Sequence, residues 1–180
     1  MTFTPRARST DQRFYGIAPA LIVANDDSEG RVKVSFPWFN RDMVSEWCRV
    51  AQLYAGDGYG SLFVPEVGDE VLVAFIHGDM RHPVILGGLY NGTDRPPIAK
   101  SSSRDPKYLR TKRGHLVLLD DTAGQGRIEI VDASGNRITI DSETNSISIS
   151  AKGELTLNGA GVVIDSSEEV TIKGKRIRLN

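Results

Sequence analysis

The residues of this chain that are able to do chemistry are scattered, and each falls short of a site on spacing. Cys48 is the only cysteine, so neither an intrachain disulfide nor a cysteine-based metal site can form. It sits beside Trp47 on an alternating segment, the place of a small core residue rather than a nucleophile. GDGYG (56–60) has the glycines of a phosphate loop but lacks the GK[ST] ending, and no helical pattern follows it. Asp120 and Asp121, with Thr122, Gly124 and Gly126, offer oxygen ligands at the wrong spacing for an EF-hand; a tight turn accounts for them. Asp57, Glu66, Asp69 and Glu70 lie among glycines, where carboxylates are solvated, and no His, Ser or Cys partner stands near them in sequence. His77 and His82 flank a turn, as surface histidines do, and His115 lies upstream of the repeat described below. No catalytic residue, cofactor or metal site is expected, and the chain reads as a non-enzyme. Trp38, Phe39, Trp47 and Tyr54 leave two readings open: a base-stacking platform for single-stranded nucleic acid, or core and subunit contacts. With 22 basic against 23 acidic residues, net −1, no basic excess exists to hold a phosphate backbone.

The elements that would position such residues are short. The 180 residues are 39% hydrophobic and 25% charged, which excludes disorder throughout and fits one ordinary domain, or a small domain with an extension. The longest apolar run, Val71–Ile76, is six residues, far short of the roughly 20 that a membrane helix needs. MTFTPRARST lacks the apolar stretch of a secretory signal. Eighteen glycines and few helix-forming runs predict an all-β chain of short strands and turns.

Four segments follow. Residues 1–13 are polar, with Arg6, Arg8 and Arg13, and read as a mobile terminus or as an arm that orders against a partner. Residues 14–90 hold five strands, about 15–24, 31–36, 46–54, 70–76 and 84–89. Val32, Val34 and Phe36 alternate with polar neighbours, Pro37 ends that strand, and the 70–76 run reads as buried on both faces. Five strands with no room for a helix predict a small closed OB-type barrel. Residues 91–110, rich in Pro, Ser and charge, read as a linker, either a flexible tether or an ordered extended path.

Residues 111–180 carry an internal repeat. Apolar residues come in pairs around one outward residue: Leu116/Leu118, Ile128/Ile130, Ile138/Ile140, Ile147/Ile149, Leu155/Leu157, Val162/Ile164, Val170/Ile172 and Ile177/Leu179. From Ile128 the first members are 10, 9, 8, 7, 8 and 7 residues apart, with Gly, Asn, Asp or Ser in the gaps. Two inward side chains per strand do not offset the entropy of ordering about eight residues. A lone chain would form fewer than about three coils of a β-helix and leave open edges. Three chains wound together remove the edges and fill one axis. The pattern therefore predicts an obligate homotrimeric β-prism whose axis is lined by Ile128, Ile130, Ile138, Ile140, Ile147, Ile149, Leu155, Leu157, Val162, Ile164, Val170, Ile172, Ile177 and Leu179. A plain antiparallel meander packed on the barrel is the alternative.

LFVPEVGDEVLVAFIHGDMRHPVILGGLYNG (62–92), with GRVKVSFPW (30–38) and WCRVAQLYAG (47–56), resembles the OB-fold domain of phage baseplate assembly protein V. The same domain occurs in VgrG-like spikes of type VI secretion and extracellular contractile injection systems. GHLVLLDDTAGQGRIEIVDASGNRITID (114–141) resembles the start of the spike's β-helix, and the likeness spans about 14–180. It implies a fold of a five-stranded OB barrel followed by an intertwined trimeric β-helix. It also implies a structural role: the central spike of a contractile tail, capping the tube and piercing the target envelope when the sheath contracts. Such a part is assembled in the bacterial cytoplasm and resides in a baseplate or injection particle, outside the cell after release. VgrG proteins carry a large hub ahead of this segment; with 13 residues here before the first strand, the hub is expected to be a separate protein. The linker leaves no room for an inserted muramidase. Some short phage spikes end in a His-x-His metal apex; KGKRIRLN has no ligand cluster, so a PAAR-type tip protein is expected on Lys175, Arg176, Arg178 and Asn180. Contact with the target membrane would be mechanical, and no nucleic-acid partner is expected. The alternative remains a single-stranded nucleic-acid-binding OB protein with a trimerising β tail; a carbohydrate-acting tail fibre would need paired carboxylates on a longer helix.

Overall fold

The computed structural model describes residues 13–178, the side chain of Arg41 excepted. The suggested N-terminal arm, Arg13 aside, and the sites assigned to Leu179 and Asn180 lie outside the described residues. The chain divides into two units between Pro97 and Ile98. The described residues are all-β, with one short 3-10 turn at Ile76–Gly78.

The first unit contains β1 (Ile17–Ala24), β2 (Lys33–Phe36), β3 (Asn40–Val44), β4 (Arg49–Val50), β5 (Ala55–Gly56), β6 (Tyr59–Gly60), β7 (Glu70–Phe75) and β8 (Pro83–Gly88). Its main sheet runs β3-β2-β1-β7-β8-β4, antiparallel except for the parallel β4–β8 pair. The sheet curls because its two ends meet. Val32, ahead of β2, and Cys48, ahead of β4, exchange backbone hydrogen bonds of 3.0 and 2.7 Å. Alternation supplies the core: Ala18, Ala20 and Ile22 from β1, Val34 and Phe36 from β2, Val71, Val73 and Phe75 from β7, and Ile85 from β8 all point inward. Cys48 is buried among them, and burial pushes its thiol pKa up. This curled, closed antiparallel sheet is an OB-type barrel.

Three local expectations change. Pro37 does end β2, but as the second residue of a tight turn in which Phe39 N–H donates to Phe36 O at 3.0 Å. The chain reverses there into β3, a strand the sequence did not reveal. Val71–Ile76 is not buried on both faces: Val71, Val73 and Phe75 are buried, while Leu72 and Ala74 are half-buried. The long strand over 46–54 shrinks to β4 and the Cys48 bridge.

The second unit is a sheet in chain order: β9 (Pro106–Arg110), β10 (Leu116–Asp120), β11 (Arg127–Val131), β12 (Arg137–Asp141) and β13 (Ser146–Ser150), every neighbouring pair antiparallel. Residues 106–110, read as linker, are therefore a strand: Leu109 and Tyr108 pair with Val117 and Leu118. Over 106–150 the chain satisfies its ladders internally, as a meander does. Residues 151–178 hold no strand among the described residues and are almost wholly exposed.

Candidate assembly interface

The register of the second sheet sorts its residues onto two unlike faces. Leu119 stands opposite Ile128, Ile128 opposite Ile140, and Ile140 opposite Ile147. In the next row Leu109, Val117, Ile130, Ile138 and Ile149 line up in turn. Nine aliphatic side chains thus form one continuous face, each between 39% and 71% exposed. Lys107 is the one charged residue on it, held at the β9 end by Asp105 and Asp121 at 2.7 and 2.6 Å. An apolar surface of this extent marks an interface, because water is a poor neighbour for it.

The opposite face is mostly polar, with charged groups paired within the chain. Glu129 is buried between Arg127 Nε at 3.4 Å and Arg137 Nη1 at 3.3 Å. Arg127 also faces Asp120 at 3.6 Å. The Thr122 hydroxyl, with its backbone N–H, holds the Asp120 carboxyl below the usual range against the opposing effect of burial. Leu118 is buried on this face, across from Tyr108 and Glu129. The pair that shares the face of Ile128 and Ile130 is therefore Val117/Leu119, not Leu116/Leu118. LVLL gives no parity of its own, so only cross-strand register fixes the phase.

Of the residues assigned to the axis, Ile128, Ile130, Ile138, Ile140, Ile147 and Ile149 lie together on the apolar face. Leu155, Leu157, Val162, Ile164, Val170, Ile172 and Ile177 are each at least half exposed on the chain beyond β13. Lys175, Arg176 and Arg178 are exposed. The face also includes Leu109, Val117 and Leu119, which sequence reasoning missed.

The other candidates resolve into ordinary structure. GDGYG is the hairpin between β5 and β6, turning through Asp57 and Gly58 with Gly58 at φ +75. Trp38 and Phe39 join an aromatic cluster with Phe14, Phe36 and Phe75. Tyr54 stacks on Tyr59 with centroids 5.2 Å apart, and Lys33 lies over Trp47 at 5.1 Å. The four aromatics thus belong to three separate clusters rather than one stacking platform. His82 contacts Asp79 at 3.2 Å, and His115 Nδ1 accepts from Ala133 N–H at 3.3 Å. Among the described residues no group of three or more His, Cys, Asp or Glu is placed to hold a metal ion. None of their helices is long and apolar enough to cross a membrane.

Residues 18–90 match the family model for the type VI secretion system/phage-baseplate injector OB domain. Residues 107–180 match that for the phage baseplate V C-terminal trimerisation domain. Among individual relatives, the type VI secretion system spike protein VgrG3 of Vibrio cholerae is 40% identical over 111 residues, 57% of this chain and 11% of the relative. Spike protein VgrG2a of Pseudomonas aeruginosa is 35% identical over 118 residues, 61% of this chain and 14% of the relative. The actin cross-linking toxin VgrG1 of Vibrio cholerae is 39% identical over 111 residues, 57% of this chain and 10% of the relative. The matched segment is thus about a seventh or less of the curated relatives' length. With an injector OB domain followed by the matching trimerisation domain, the chain belongs to the phage baseplate V family.

Proposed function

We propose that the chain is the structural central spike of a contractile tail or injection particle, built from three copies whose apolar faces meet on one axis. The observation that carries this reading is the continuous aliphatic face of β9–β13 within a trimerisation domain. Completing the burial of nine half-exposed aliphatics is worth about 1 kcal/mol each, or about 9 kcal/mol per chain. That is as large as a typical domain's net stability, so association strongly stabilises this sheet. The axis takes the six isoleucines from Ile128 to Ile149 and continues along Leu155 to Leu179.

The work of such a part is mechanical. Sheath contraction drives a tube, and a thin stiff prism concentrates that force on a small area of envelope. Stacked β-branched residues pack the axis without voids. Outward Thr, Ser, Glu, Lys and Arg keep the exterior wet and oppose lateral aggregation. A separate hub protein on the OB side and a PAAR-type tip protein on exposed Lys175, Arg176 and Arg178 complete the assembly. It forms in the bacterial cytoplasm and touches the target membrane only mechanically.

The test is to tag the C-terminus and image contractile particles from cells that make this chain. A label at the baseplate tip, opposite the tube, is expected. A label on sheath or fibres, or particles lacking the chain, would overturn the reading.

A further inference from the structure

The segment that joins the barrel to the second sheet, rich in proline and serine, is anchored at both of its ends. On the barrel side Asn91 organises a tight turn. Its Oδ1 accepts the backbone N–H groups of Thr93 and Asp94 at 2.8 and 2.6 Å, and its own backbone N–H donates to Asp94 O at 2.9 Å. Its Nδ2 donates to the Glu70 carboxylate at 2.8 Å, which ties the turn to β7. An asparagine that bonds the backbone two and three residues on fixes a turn without help from a ladder.

On the sheet side, residues 98–105 form a strap. The Tyr108 hydroxyl on β9 accepts from Ile98 N–H and donates to Ile98 O, both at 3.2 Å. Ser101 and Arg104 exchange backbone bonds of 2.9 and 3.3 Å, and Lys100 Nζ lies 2.6 Å from the Asp105 carboxylate. Asp105 N–H donates to the Thr122 hydroxyl at 2.9 Å, and Asp121 N–H donates to Asp105 O at 3.2 Å. The strap is therefore held to β9 at one end and to the β10–β11 turn at the other. Leu118, across from Tyr108, is buried at this end of the polar face, as are Asp120 and Thr122.

Between the anchors stand Arg95, Pro96 and Pro97, all exposed and, among the described residues, without a hydrogen bond. The rings lock φ at Pro96 and Pro97, and a following proline confines Arg95 and Pro96 to extended ψ. Rotation about φ of Arg95 and ψ of Pro97 is what remains.

We propose that residues 91–105 are a stiff coupler: a clasp on β7, a strap on the second sheet and, between them, a short proline joint at 95–97. A free tether of about 20 residues would hold its ends about 25 Å apart on average and take up displacement as slack. The joint spans at most about 10 Å. Thrust on the barrel thus reaches the sheet without a slack chain to draw out first. That use rests on the spike reading; the clasp and the strap stand on the bonds above.

Trypsin acting on the folded full chain reads the strap. Lys100 and Arg104 are cleavage sites within it, and Arg113, in the turn between β9 and β10, is a control. Tyr108→Phe removes both bonds to Ile98 and is expected to speed cleavage at Lys100 roughly tenfold, with the rate at Arg113 unchanged. Asn91→Ala is expected to speed hydrogen exchange at the Thr93 and Asp94 amides by a similar factor. Rates at Lys100 that are the same in the unmodified protein and in Tyr108→Phe, or amides at 93 and 94 that exchange at the unprotected rate before any substitution, would overturn the coupler. A Gly-Ser insertion of about six residues after Pro97 then tests the joint in contractile particles. It should leave native mass and incorporation unchanged and reduce delivery through the target envelope; full delivery with the insertion would overturn the role in thrust. A chain absent from the particle tip removes the spike reading instead, and the trypsin and exchange results still decide the clasp and the strap.

Discussion

Ile149 and Ser148 are neighbours in β13 that face opposite ways, so the same substitution at each separates the two faces. In the single chain Ile149 is 54% exposed, and replacing it with Asp would there remove only partial apolar contact, about 1 kcal/mol. With three copies on an axis, the same change brings three carboxylates together. At a spacing of about 6 Å and an effective dielectric near 20, each pair repels by about 3 kcal/mol, and three pairs by about 8. Desolvation adds several kcal/mol per ion, because no cation faces that row. Per chain this is about 3 kcal/mol of repulsion plus several of desolvation against about 9 kcal/mol of apolar gain, which must also offset the entropy of association, so Ile149→Asp is expected to abolish assembly. Ser148→Asp places its carboxylate on the polar face and should leave assembly intact. Light scattering after size exclusion reads both: about 59 kDa for Ser148→Asp, three chains of 19.7 kDa, and single-chain or aggregated material for Ile149→Asp. Elution of Ile149→Asp as a trimer would show that this row does not face the axis.

Phe36 is fully buried in the barrel, so Phe36→Ala should lower stability by about 3–5 kcal/mol in chemical denaturation followed by tryptophan emission, without changing the mass of assembled material. Asp27, Asp79, Asp105, Asp120, Asp132 and Asp141 all have lowered pKa values, Asp27 down to about 2 through its hydrogen bond with Arg31. Each contributes stability that is full above the unfolded carboxyl value near 4 and is lost as pH falls through its folded value. Thermal melts should therefore be level from about pH 7 to 5 and decline below about pH 4; a rise in stability on acidification would contradict the assigned partners. Asp132→Ala removes the acceptor of the β11–β12 turn and should cost about 1 kcal/mol, whereas Asn145→Gly, at a left-handed position, should be neutral or slightly stabilising. A labelled single-stranded oligonucleotide should show no salt-sensitive shift with this chain; a strong one would revive the nucleic-acid reading.

The apolar pairs made much of the second unit legible, because a two-residue period survives in any β architecture. Phase was not legible where four apolar residues run together, and Leu116–Leu119 took its face from Ile128 and Ile130 across the ladder. Strand β9 was hidden because Pro106 and the charges around it look like linker, while Leu109 earns its place only through Val117. In the barrel, Ala18, Ala20 and Ile22 alternate with outward residues and announce themselves. Strand β3 (NRDMV) has no such alternation and exists because the turn at Pro37 lays it on β2.

Sedimentation velocity on the unmodified chain from about 1 to 50 µM tests the central claim most directly. A single species near 59 kDa, three times the chain mass of 19.7 kDa, with no dissociation at the lowest concentration, is the expected outcome. A stable, folded species of one chain mass across that range would contradict it.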